Sequence, residues 1–130
     1  MSPPLIDRQA FLDALNLKFP EIFREITDIE IGLLHPEMGV VSHASRAAVE
    51  AEDWDKLTAQ FKFVQDVFLN GDSDIKNAVY VSYLENIFLG ETSARFSKAR
   101  ELLPRSLADA LLELEAHFEM LQQHKLPVKN

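Results

Sequence analysis

Four histidines, twenty-one acidic side chains and no cysteine limit the chemistry that this chain of 130 residues can carry. Without thiols there is no disulfide, no thiolate metal site and no cysteine nucleophile, a composition compatible with a reducing cytoplasm. His35, His43, His117 and His124 fall at spacings that match no metal motif, and the HExxH pattern that sets two imidazoles and a base on one helical face is absent. Glu113 and His117, four residues apart, read as an exposed helix pair, and would hold a divalent ion only if a third ligand came from elsewhere. A serine hydrolase presents its nucleophile on a glycine-flanked turn, but Gly32, Gly39, Gly71 and Gly90 each stand alone, and there is no phosphate loop. The residues therefore predict no catalytic group, no metal and no cofactor.

Charge is more informative. Against 21 Asp plus Glu stand 13 Lys plus Arg, a net charge of -8 at pH 7. That balance repels phosphate backbones, so nucleic acid is not an expected partner; a basic protein is, with a merely solvated acidic surface as the plain alternative. The acids are clustered in sequence. Glu50, Glu52, Asp53, Asp55, Asp66, Asp72 and Asp74 are opposed only by Lys56 and Lys62, and charge alone makes these seven the candidate partner-binding residues. Arg95, Lys98, Arg100 and Arg105 then dominate a basic segment.

The elements that must position these groups are helical. The stretch IKNAVYVSYLENIFLG, residues 75–90, has polar members that scatter around a wheel of about 100° per residue, leaving no continuous polar face. Such a helix, over about residues 73–89, is expected to be buried with the others packed round it. Glu85 lies within it and is predicted to be a structural buried acid rather than a ligand or catalytic acid, held by hydrogen bonds to neighbouring helix ends or by an ion pair, for which Arg95 and Arg100 are candidates. A strand competes for AVYVSYL, but no partner strand is visible.

Around this centre, Asp7 caps a first helix to about Leu17, with Ile6 as a hydrophobic staple on Phe11. Pro20 opens a second, with Ile22, Ile26, Ile29 and Leu33 in register and Pro36 at its end. Residues 37–51 form a third, whose small stripe Val41, Ala44, Ala48 and Ala51 is expected to admit the fourth helix closely. That fourth helix is capped by Asp53, carries the stripe Trp54, Leu57, Phe61, Val64 and Phe68, and stops at Asn70 and Gly71 in left-handed conformation. Thr92 or Ser93 caps a short helix, and Pro104 opens a last one to about His124, with Leu103, Leu107, Leu111, Leu114, Phe118 and Leu121 on one side. The prediction is one all-α domain of six or seven helices, with frayed ends at about 1–5 and 125–130. Neither a secretory leader nor a membrane span is legible, so a cytoplasmic location is expected.

The run NGDSDIKNAVYVSYLENIFLG, followed by ARELLPRSLADAL, resembles the C-terminal half of small all-helical bacterial proteins that include immunity proteins of contact-dependent inhibition and related toxin systems. The matching positions are Gly71, Asp72, Asn77, Ala78, Leu84, Glu85, Leu102, Leu103 and Pro104, in about half the chain. The resemblance implies a non-enzymatic protein that binds a cognate toxin domain, often a basic nuclease, and blocks it. A helical adaptor unrelated to any toxin has the same composition, and a small hydrolase or metal enzyme would need convergent Glu, Asp and His that the sequence does not announce.

Overall fold

In the computed structural model, residues 4–27 and 32–125 are described, with side chains through Leu121. Seven helices make up this part of the chain: α1 (Arg8–Lys18), α2 (Pro20–Phe23), α3 (Leu34–Glu50), α4 (Trp54–Asn70), α5 (residues 73–88), α6 (Ala94–Glu101) and α7 (Arg105–Lys125). The fold is the all-α single domain expected, and among the described residues there is no strand. No helix there is long and apolar enough to cross a membrane. The expected fraying beyond Lys125 falls outside the described residues.

Helix starts follow the capping chemistry of the sequence. Asp7, Asp53, Asp72 and Ser93 each accept a hydrogen bond from the backbone N–H three residues on, which satisfies a donor that a helix start leaves without an internal partner. The α3–α4 turn closes by two backbone bonds, Glu52 to Val49 and Asp53 to Ala48, with Glu52 left-handed at φ 54°. That pattern is a Schellman stop, built here on a residue other than glycine.

Three expectations change. Helix α2 is a single turn, not a helix to Leu33: Glu25 and Ile26 bond to carbonyls only three residues back, so the helix tightens and ends. Ile22 is buried and Ile26 half-buried, whereas Ile29 lies outside the described residues. Pro36, expected as a terminator, sits in the first turn of α3, where a missing N–H costs nothing. Gly71 is extended (φ −82°) rather than left-handed. Its neighbours bracket Ile6, whose N–H donates to Asn70 at 2.7 Å and whose carbonyl accepts from Asp72 at 2.9 Å, so the chain start is tied beside the α4–α5 turn.

Helix α5 is the centre, and Ile75, Val79, Tyr83, Leu84 and Ile87 are wholly buried on it. Its middle, Val79–Leu84, is π-helical: the Glu85 N–H reaches the Tyr80 carbonyl, five residues back. Wider turns advance each residue by less than the α-helical angle, so Ser82, Tyr83 and Leu84 all point inward in succession. The same change of phase brings Lys76, Asn77, Val81 and Asn86 to the surface at spacings of four to five. On an α-helical wheel these residues scatter; on the π-containing helix they make an outer edge. Glu85 belongs to this edge and is half-buried, with no ion pair among the described residues. It is therefore not the buried acid expected. Arg95 pairs instead with Glu52 (3.9 Å) and Arg100 with Glu115, whose hydrogen bonds also raise the Arg100 pKa.

The buried acid is Glu37. Wholly buried in the first turns of α3, it accepts from Nε and Nη2 of Arg8 at 2.8 and 2.7 Å and from the Gly32 N–H at 2.9 Å. Helix α3 packs mainly on α5, not on α4. Along that seam His35 bonds to Ser82, Asn86 approaches Ser42, and Arg46 donates to the Asn86 and Ile87 carbonyls near the C-terminus of α5. A cation there complements the helix dipole, and Arg46 also lies over Phe96 at 4.9 Å.

Candidate functional site

Small residues on α3 leave a groove. One wall is α3 and the residue that caps its end, with Gly39, Ala44, Ala47, Ala48 and Ala51; Ile22 from α2 and the start of α4 make the others. The groove encloses about 770 Å³, within the range of small-ligand and peptide clefts. The Ala44–Ala48–Ala51 stripe expected to be closed by α4 thus lines an opening, and Ala51 is exposed. Glu21, Glu25 and Asp53 stand on its rim, with Lys56 and His43 also lining it.

The floor carries Gln60, only 3% exposed. Its Oε1 accepts from the Ser45 hydroxyl at 2.8 Å, and Ser45 also bonds to the Tyr83 hydroxyl at 2.7 Å. Ser45 has one proton to give, so with Gln60 as its acceptor Tyr83 must donate to Ser45. The relay Tyr83, Ser45, Gln60 fixes the amide with its oxygen inward. Among the described residues Nε2 has no hydrogen-bond partner, and, unlike the fully enclosed polar atoms, it keeps contact with the groove that Gln60 lines.

Burial pushes the Tyr83 phenol well above its ordinary value of 10.0. Tyr80 is raised too, by burial and then by its hydrogen bond to Glu113. The unfolded chain therefore releases phenolic protons first as pH rises, and stability is intact below about pH 10 and falls above it, by up to about 1.4 kcal/mol per pH unit and per group. Denaturation midpoints measured across this range should decline, and Tyr83→Phe should remove the larger part of the slope at a neutral-pH cost of about 1 kcal/mol. An unchanged slope in the variant contradicts the burial of the Tyr83 phenol.

The seven acids of the charge block do not converge. Glu50, Glu52, Asp53 and Asp55 lie at the α3–α4 turn, whereas Asp66, Asp72 and Asp74 lie toward or beyond the other end of α4, a helix about 25 Å long. Asp53 and Asp72 each engage one carboxylate oxygen in capping, and Glu52 faces Arg95. Lys98 lies over Trp54 at 5.3 Å, so the basic helix α6 is folded back beside the acidic turn. Of the seven, Asp53 alone lines the groove. Glu21, Glu25 and Gln60 were not singled out from sequence. The signal for Gln60 was present, since it stands three residues after Leu57 and four before Val64, a polar residue on a core-facing side.

Other chemistry-bearing residues are placed differently. Glu113 accepts from the Tyr80 hydroxyl at 2.9 Å and makes no bond to His117, whose ring lies edge-on to Phe118. Among the described residues no group of three or more His, Cys, Asp and Glu could hold a metal ion. Ser82 and His35 are 2.7 Å apart, the spacing of a nucleophile and its base, yet no carboxylate hydrogen-bonds His35 among the described residues and neither residue lines the groove. A family described as a domain of unknown function matches residues 12–119. No curated protein and no solved structure matches the chain.

Proposed function

The chain belongs to the DUF7674 family, a membership that assigns no activity, and from its surface we propose that it acts by stoichiometric binding of a basic protein, as a toxin-neutralising immunity protein does. The observation that carries this reading is the groove beside α3, apolar along its wall and with three carboxylates at its rim. A net charge of -8 adds long-range attraction for a cationic partner. In such a complex acidic side chains occupy the space that substrate phosphate would take on a basic nuclease, and buried contacts supply most of the affinity.

The test is co-expression with the variable C-terminal domain of a secreted protein encoded immediately upstream. Restored growth and co-elution in a 1:1 complex are the expected results. Toxicity undiminished by the chain, together with no complex, overturns the reading, as does a metabolic operon in place of the secreted protein.

A further inference from the structure

Small side chains by themselves mark only a shallow face; what points to a ligand is Gln60. It is 3% exposed, its oxygen is occupied by Ser45, and its Nε2 offers donors to the groove with no acceptor among the described residues. A donor held in that way is unfavourable to desolvate unless an acceptor replaces water. A helix has committed its carbonyls internally, whereas an extended chain carries free ones. The rim sets the sign of the charge: Glu21, Glu25 and Asp53 outnumber Lys56, and Asp53 uses one carboxylate oxygen for its cap.

Resting on the reading that the partner is a basic protein, we propose that this groove takes an extended basic segment of that partner. A main-chain carbonyl of the segment accepts from Nε2 of Gln60, its aliphatic atoms lie on Ala47 and Ala48, and a lysine or arginine reaches Glu21 or Glu25. Long basic side chains suit both surfaces, because the stem is apolar and only the head is charged.

The experiment is a titration of the isotope-labelled chain, followed by NMR, with the capped pentapeptides Ala-Lys-Ala-Arg-Ala and Ala-Glu-Ala-Asp-Ala. The basic peptide should shift the side-chain NH₂ signals of Gln60 and the amides of residues 44–51 saturably; the acidic one should not. Ala47 is exposed on α3, so Ala47→Leu fills the groove without entering the core, and it should weaken basic-peptide binding by about tenfold or more at an unchanged unfolding midpoint. Silent Gln60 signals, or equal affinity in the Ala47→Leu chain, overturn the proposal. The two readings fail separately. A toxin domain bound equally by the Ala47→Leu chain removes the groove and leaves neutralisation standing, whereas a Gln60 response to peptide without any toxin binding removes neutralisation and leaves the groove.

Discussion

Replacing Glu37 by alanine is expected to lower the unfolding free energy by about 3 kcal/mol, because removing one member of a buried ion pair strands the others. Glu37 is wholly buried and collects three hydrogen bonds, two from Arg8 and one from the Gly32 N–H. The same hydrogen bonds raise the Arg8 pKa, so the guanidinium stays charged and needs its counter-charge. Arg8 is 35% exposed and can recover water when the carboxylate is gone, which puts the loss at the lower end of the range for buried pairs. Arg8→Leu leaves the fully buried carboxylate without its cation, whereas the double Arg8→Leu, Glu37→Ala chain should be more stable than the sum of the single losses implies. Urea denaturation of the three variants measures this. Additive losses, or a Glu37→Ala midpoint equal to that of the parent, mean that water replaces the pair without penalty.

Gly71→Ala is expected to be at least as damaging, for a steric reason. A Cβ at that position would overlap Cγ2 of Ile75 and stand 2.6 Å from the Val67 carbonyl oxygen. Ile75 is wholly buried, and Val67 belongs to the last turns of α4, so neither can step aside cheaply. Relief by movement of residue 71 would break the two backbone bonds that hold Ile6 between Asn70 and Asp72, and would displace the cap of α5. Overpacking of this kind costs about 3 kcal/mol, or roughly 10 °C of melting temperature in a chain of this size. Thermal melts and amide exchange at Ile6 and Asp72 test both parts. Adding Ile75→Ala should restore little, because the carbonyl of Val67 remains in the way. A melting temperature within a degree or two of the parent would show that the turn relaxes freely.

Glu37 and Gly71 illustrate which kinds of position sequence reasoning reaches. Repetition and capping are local, so Leu57, Phe61 and Val64 announced α4, and Asp7, Asp53 and Ser93 announced helix starts. Gly71 was recognised as a stop, but for a left-handed backbone it does not adopt; its need for hydrogen in place of a side chain comes from Ile75 folding back over it. Nothing local marks Glu37, the first residue of the expected third helix, because its partner Arg8 is 29 residues away. Glu85 read as the buried acid because an α-helical wheel was assumed where a π segment changes the phase.

The all-helical class, the position of the central helix and the sign of the net charge are determined by the sequence itself, since each depends on residues within a few turns of one another or on composition. The tertiary structure decided what those elements present. It split the acidic run across the length of α4 and folded Arg95 onto Glu52. It set Glu21 and Glu25 beside Asp53 around a groove, and it fixed the amide of Gln60 through Ser45 and Tyr83. These are contacts between groups far apart in the chain, created by packing, and no local periodicity encodes which distant side chain will complete a site.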